Sequence, residues 1–239
     1  MKCLISQPTF LPWIGWFDLV EQADLMIIYD TAQFSKRSWQ QRNRIRTIRG
    51  LEYLTVPVKT SGRSNQKIID VEISMIDFEE YFKNKMIHAY SKAPFFEPVM
   101  DDLEKKLPHL LANRKLSHLN EGLIKFCCEW LGITTRLVRA SDLNIDGQRG
   151  EYLAKVCEEF NCDEYISTEG AEKYLIEDYN FFEQKKINVK IYKYEHPIYS
   201  QLIEPFIPYA SVIDLIMMYG HSSKEVMQKA QRYTHTIAI

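Results

Sequence analysis

Residues 2–30 read KCLISQPTFLPWIGWFDLVEQADLMIIYD, and their order decides the fold. Residues 2–6 form a short apolar run closed by Gln7-Pro8, the pattern of a buried strand. Trp13 to Gln22 carries apolar residues at helical spacing, and Leu25 to Tyr29 is a second apolar run ending at Asp30. Strand, turn, helix and strand within about thirty residues make a compact βαβ-like unit, which predicts a parallel sheet.

Further along, residues 51–58 (LEYLTVPV) predict another strand, with Pro57 marking an edge or an end, and residues 59–67 a polar loop. From Asp77 to Trp130 the pattern is helical, broken near Pro94 to Pro98 and around Leu107-Pro108. Strands at 134–139 and 163–166 flank a helix at about 148–160. A last strand at 188–192 precedes the extended HPIYSQLIEPFIP and a closing helix near 211–219. The expectation is an α/β fold: one domain over 1–239, a mainly parallel sheet flanked by helices, and a mostly helical insertion at about 77–131.

A chain of 239 residues can bury a full core. Its 46% hydrophobic and 26% charged residues are ordinary for a soluble globular protein. A net charge of −2 gives no global drive toward nucleic acid or anionic membrane. No apolar run approaches the ~20 residues of a membrane span. The opening MKCLISQPTF reaches Ser6 and Gln7 before a signal-peptide core could form, so the expected location is the cytoplasm, without membrane insertion. The five cysteines include no CxxC pair and are expected to be reduced, structural thiols; no structural metal is expected.

Four segments could carry chemistry. In Gln7 to Trp16, Pro8 and Pro12 fix the backbone between a strand and a helix, Gly15 allows close approach, and Trp13 and Trp16 add aromatic surface. The carboxyl end of a strand leading to a helix is where open α/β sheets bind ligands. Packing beneath the sheet is the competing reading for Trp16 and Phe17. In Asp30 to Arg46, six cations from Lys36 to Arg49 fall within fourteen residues, interleaved with Phe34 and Trp39. Guanidinium forks suit phosphate or carboxylate; a solvated basic strand is the plainer alternative. A nucleic-acid stripe would extend further than this one does. The third segment, Asp163 to Tyr174, is a strand ending in Ser167-Thr168, then Gly170, then a helix. Those hydroxyls either meet a ligand or cap the helix. The fourth, Tyr194 to Gln201, holds His196 beside a proline-fixed backbone. HExxH, Walker and GxGxxG patterns are absent, which removes metalloprotease, P-loop and dinucleotide readings.

QPTFLPWIGWFDLVEQADLMIIYDTAQFSKRSWQQRNRI resembles the opening of the WbqC-like family, which reads QPxYLPWxGYFxLI, then AD, then D-x-Q-[FY]-x-[KR]-x-x-W-x-x-R-N. The resemblance continues through DEYISTEGAEKYL, YEHPIYSQ and FIPYASVIDLIMMYG, nearly the whole chain. One departure is Thr168-Glu169-Gly170, where the family carries Gly-Pro after Ile-Ser. The resemblance implies a role in bacterial surface-polysaccharide (O-antigen) synthesis, in gene clusters whose sugars include acylated amines. The opening is also similar, by analogy, to nucleotidylyltransferase-type enzymes, several of which activate a carboxylate as an adenylate. Trp13 and Trp16 stand roughly where those enzymes have two histidines.

The implied activity is attachment of an aminoacyl or acyl group, such as glycine, to the amine of a nucleotide-linked amino sugar. ATP, with Mg²⁺ as companion ion, would activate the small carboxylate substrate. Arg42, Arg44 and Lys36 are expected to hold phosphates and stabilise the charge that builds up as pyrophosphate departs. Gln7 and Asn43 would orient the carboxylate, and Asp30 or His196 would take the proton of the attacking ammonium. Pro8, Trp13, Gly15, Gln33, Arg37, Trp39, Ser167, Thr168, Gly170, Tyr199 and Gln201 complete the expected binding surface. Gln7, Asp30, Lys36, Arg42, Asn43 and Arg44 are expected to line one cleft, with Ser167 and His196 at the same sheet edge. The alternatives are a non-catalytic sugar-nucleotide-binding protein and an acyltransferase that uses a pre-activated donor.

Overall fold

The computed structural model of the chain describes residues 1–237. Eight strands form in it: β1 (Lys2–Ser6), β2 (Leu25–Ile28), β3 (Arg42–Thr47), β4 (Gly50–Thr55), β5 (Arg136–Arg139), β6 (Glu164–Thr168), β7 (Asn188–Glu195) and β8 (Gln231–Thr236). Six of them make one sheet in the order β5-β2-β1-β6-β7-β8. The first five of that order run parallel, and β8 closes the edge antiparallel to β7. The chain starts in the centre with β1, builds outward through β2 and β5, then returns to the other side of β1 with β6 and β7. This is an α/β, doubly wound sheet with its order reversing between β1 and β6, where such sheets open a crevice at the strands' carboxyl ends.

The helices are α1 (Ile14–Glu21), α2 (Phe78–Tyr90), α3 (Phe96–Leu111), α4 (Leu116–Leu131), α5 (Arg149–Glu159), α6 (Glu172–Glu177), α7 (Tyr179–Glu183), α8 (Val212–Tyr219) and α9 (Ser223–Met227). Strand side chains alternate between the two faces. Leu4, Met26 and Ile28 face a large core with α1–α4, α8 and α9, whereas Cys3, Ile5, Leu25 and Ile27 face a smaller one with α5–α7. All five cysteines are buried and unbridged.

Three expectations need correction. The strand at 188–192 is not the last, because β7 runs on to Glu195 and β8 pairs along it. QRYTHT has no apolar alternation, since an edge strand exposed along nearly its whole length has no core face to fill. Pro108 does not break the helix near Leu107: α3 continues to Leu111. The proline removes one hydrogen bond, to Glu104, on a face where both residues are exposed and water can serve that carbonyl. Finally, the strand expected at 51–58 ends earlier, at Thr55, and stands outside the main sheet. β4 pairs antiparallel with β3, in register from Arg42↔Thr55 to Thr47↔Gly50, as a separate hairpin. Half of the cationic run is therefore a strand.

Buried polar side chains position these parts. Asp18 of α1 is fully buried and takes both Nε (3.0 Å) and Nη2 (2.6 Å) of Arg232 on β8, with the Tyr192 hydroxyl donating to the same carboxylate. Asn120 of α4, also fully buried, donates to the carbonyls of Pro8 (2.9 Å) and Gln40 (2.7 Å). Arg46 fixes the hairpin from the other side, its guanidinium donating to the carbonyls of Thr47, Ile203 and Pro205 at 2.7–3.1 Å.

Candidate functional site

A cleft of about 740 Å³ opens between the carboxyl ends of β1 and β6, at the reversal of strand order. Ser6, Gln7, Thr9, Trp13 and Trp16 line it from the first strand and α1; Tyr165, Ser167 and Thr168 line it from β6. Tyr29, Arg149, Ala171 and Tyr174 close its far side. A second cavity of about 220 Å³ shares Thr9, Trp13 and Trp16 with the cleft and is completed by Pro12, Trp39, Asn43, Arg44 and Tyr209. Trp13 is thus a common wall.

The walls are held from behind. The Trp16 indole donates to Ser6 Oγ at 3.0 Å. The Trp13 indole folds back over Gly15 so closely that a Cβ there would lie 2.2 Å from the ring, so the close approach Gly15 permits is that of Trp13 itself. Gln40 accepts from the Ser35 amide (2.8 Å) and donates to Gln7 Oε1 (2.7 Å). With its oxygen engaged, Gln7 presents its amide N–H groups, so it is set as a donor. Burial pushes the phenols of Tyr29, Tyr165 and Tyr174 up, which keeps them protonated and able to donate. Arg149 brings a cation, half of which is engaged by Glu177 (2.9 Å) and Asp178 (3.2 Å).

Of the residues singled out in sequence, Gln7, Trp13, Ser167 and Thr168 line the cleft, and Trp13, Trp39, Asn43 and Arg44 line the smaller cavity. Asn43 is tied down, its amide donating to the carbonyls of Phe10 (3.1 Å) and Leu11 (2.7 Å) and its oxygen accepting from the Arg44 amide. It shapes the Pro8–Pro12 loop and has no free donor for a carboxylate. Arg44 lies over Trp39 at 5.4 Å with Nε unpartnered, but Arg42 stacks on Tyr53 at 4.1 Å, outside both cavities.

The single cleft expected to hold Asp30 with Gln7 does not form. Successive residues on an extended chain face opposite ways, so Tyr29 lines the cleft while Asp30 turns into a third cavity of about 300 Å³ beside Arg139 and Glu121. There its carboxylate accepts from the Ser141 amide (2.9 Å) and hydroxyl (2.6 Å). Lys36 and Arg37 are exposed on the turn before β3 and line none of these cavities, and Gln33 is exposed beside them. Pro8 is buried, its carbonyl held by Asn120. Gly170 stands in open space, where a Cβ would meet only Thr168 Oγ1 at 3.8 Å. Neither Ser167 nor Thr168 caps a helix through its side chain.

Tyr199 and Gln201 are buried supports, donating to the buried Asp214 carboxylate at 2.7 and 3.0 Å. His196 sits at the sheet edge behind Trp13, the two rings stacked at 6.1 Å. Its Nδ1 donates to the Pro197 carbonyl at 2.9 Å, which leaves Nε2 a bare acceptor, buried and without a partner. Burial lowers its pKa, against a smaller upward pull from that carbonyl. The folded protein therefore resists protonating His196. The stability this contributes is complete above the unfolded value of about 6.5 and is lost as pH falls through the lower folded value. Melting curves from about pH 7.5 to about pH 5 should show a steeper acid loss in wild type than in His196→Phe; parallel curves would refute it.

Sequence reasoning passed over Thr9, Tyr29, Arg149, Tyr174 and Tyr209, and favoured packing for Trp16. Tyr29 and Arg149 were reachable, because one directly follows β2 and the other opens the helix after β5 at the same sheet edge. Gln40 and Asn120 carried no signal, since their roles depend on segments distant in sequence.

Comparison with known proteins agrees with the motifs. Residues 7–226 match the WbqC-like protein family. A Mycobacterium tuberculosis protein described as uncharacterized protein Rv1507c is 35% identical over 230 residues, covering 95% of this chain and 97% of its own. No solved structure matches. No described helix is long and apolar enough to cross a membrane. On these grounds the chain belongs to the WbqC-like protein family.

Proposed function

We propose that this protein is an enzyme of bacterial surface-polysaccharide synthesis that attaches an acyl or aminoacyl group, such as glycine, to the amine of a nucleotide-linked amino sugar. The observation that carries the reading is the cleft at the strand-order reversal, where open α/β sheets receive nucleotides, beside a smaller cavity that holds Arg44. ATP supplies the activation. The substrate carboxylate attacks the α-phosphorus and pyrophosphate leaves; the sugar amine then attacks the acyl carbon and AMP leaves, with one proton lost from the nitrogen. Gln7 and the hydroxyls of Ser167 and Thr168 offer hydrogen bonds to the phosphates or carboxylate, Arg149 offers positive charge in the cleft, and Arg44 offers it in the adjoining cavity. No group of three or more His, Cys, Asp or Glu among the described residues could hold a metal, so Mg²⁺ would be held chiefly by the phosphates of ATP. Neither proton acceptor expected from the sequence lines the cleft or the smaller cavity: His196 sits behind Trp13 with its Nε2 buried, and both Asp30 oxygens are engaged by Ser141 in the third cavity.

A second reading, a non-catalytic sugar-nucleotide-binding protein, is favoured by one observation: no carboxylate side chain lines either the cleft or the smaller cavity. Incubation with ATP, glycine and a dTDP-linked amino sugar separates the readings. A ligated sugar with AMP release supports the ligase. Product from an acyl-CoA without ATP indicates a transferase, and tight binding without turnover indicates the binding protein. Arg44→Ala should weaken binding of the nucleotide-linked sugar by about 1.5–3 kcal/mol, the scale of a charge-assisted hydrogen bond. Its melting temperature should hardly move, because Arg44 makes no ion pair among the described residues. Unchanged affinity with a large fall in melting temperature would make Arg44 a structural pin.

A further inference from the structure

We propose that the smaller cavity is a pyranose subsite, separate from the cleft that takes the nucleotide. This rests on the nucleotide reading for the cleft. Four of the eight residues that line the cavity are aromatic, Trp13, Trp16, Trp39 and Tyr209, set around Arg44 and Thr9. Its roughly 220 Å³ corresponds to about seven waters at about 30 Å³ each, room for one substituted six-membered ring.

The polar atoms call for a ligand with hydroxyls. Thr9 Oγ1 and Arg44 Nε are both buried and without a partner. An unmade hydrogen bond of that kind is costly until a ligand or water completes it. An ammonium ligand, which aromatic cages otherwise suit, is opposed by the Arg44 charge. The shape distinguishes a sugar from a base. Trp13 and Tyr209 meet at 59° with centroids 5.4 Å apart, a corner rather than a parallel slot. A flat base fills a slot between parallel rings, whereas a chair-shaped sugar directs C–H groups at tilted faces and hydroxyls at the edges. Thr9, Trp13 and Trp16 border both cavities, so the corner adjoins the cleft in which the nucleotide would sit.

The test uses the full chain and four probes: methyl β-glucoside, thymidine, dTDP and dTDP-glucose. Trp39 is 46% exposed, so its truncation spares the core, and Trp39→Phe keeps an aromatic face. Saturation-transfer NMR should show methyl β-glucoside receiving signal from wild type and Trp39→Phe but not from Trp39→Ala. In calorimetry dTDP should bind wild type and Trp39→Ala alike. dTDP-glucose should bind wild type about tenfold more tightly than dTDP, and Trp39→Ala should lose that increment. The proposal is overturned if the glucoside receives no signal and the glucose adds no affinity. It is equally overturned if Trp39→Ala abolishes transfer to thymidine and spares the glucoside, which would place a base in the corner. Failure of dTDP to bind, with Trp39-dependent glucoside transfer intact, would defeat the nucleotide reading and leave the sugar subsite standing.

Discussion

Arg232→Ala is expected to remove about 3–5 kcal/mol of stability, the usual cost of leaving one partner of a buried ion pair alone. Asp18 is 0% exposed and receives both sides of the Arg232 fork, plus the Tyr192 hydroxyl. Without the guanidinium a carboxylate remains inside the protein with one phenol for company. For a chain of this size the melting temperature should fall by roughly 6–20 °C, at about 2–4 °C per kcal/mol. The double variant Asp18→Leu/Arg232→Met is the informative control, because an apolar pair of similar volume often matches a buried ion pair. It should recover most of the loss in denaturant titrations. A single variant that costs less than about 1 kcal/mol would show the pair to behave like one at the surface.

Asn120→Ala should be nearly as severe and should act on the site as well. It leaves the carbonyls of Pro8 and Gln40 without their donor, each loss worth about 1–3 kcal/mol, for a total of about 2–6 kcal/mol. Gln40 in turn orients Gln7, and Pro8 begins the loop that carries Trp13. Nucleotide affinity, measured at a temperature where the variant remains folded, should therefore fall too. Asn120→Asp should do no better, since a carboxylate cannot donate to a carbonyl. If stability drops while affinity per folded molecule is unchanged, the coupling between Asn120 and Gln7 is wrong.

The fold was legible where periodicity and burial coincide. β1, α1, β2, β5, α5 and β6 lie close to their expected ranges because each is an apolar element between polar turns. β8 was hidden because edge strands need no apolar face, and β3 was legible only as the plainer alternative of a basic strand, because its alternation is of cations: Arg42 and Arg44 face rings while Asn43 and Ile45 are buried. For the site, motif position pointed to Gln7, Trp13 and Ser167, since a strand's carboxyl end is fixed by the strand. It did not tell which side of the chain each neighbour faces. Asp30 and Tyr29 are adjacent in sequence and serve different cavities. Tyr199, Gln201 and Asn43 look like ligand-binding residues in sequence because buried supports and binding groups draw on the same polar side chains.

The antiparallel edge has a consequence for self-association. β7 carries Val189, Ile191 and Tyr192 into the core, and β8 covers its outer hydrogen-bonding groups with a polar, mostly exposed strand. Arg232 stands on that strand, and charge on an edge discourages a second chain from extending the sheet. Besides its ladder to β7, β8 is tied to α1 by the Arg232 grip on Asp18, so loosening that grip would weaken the cover over an apolar strand. The sheet's guard against templated aggregation is thus anchored in α1, near the other end of the chain.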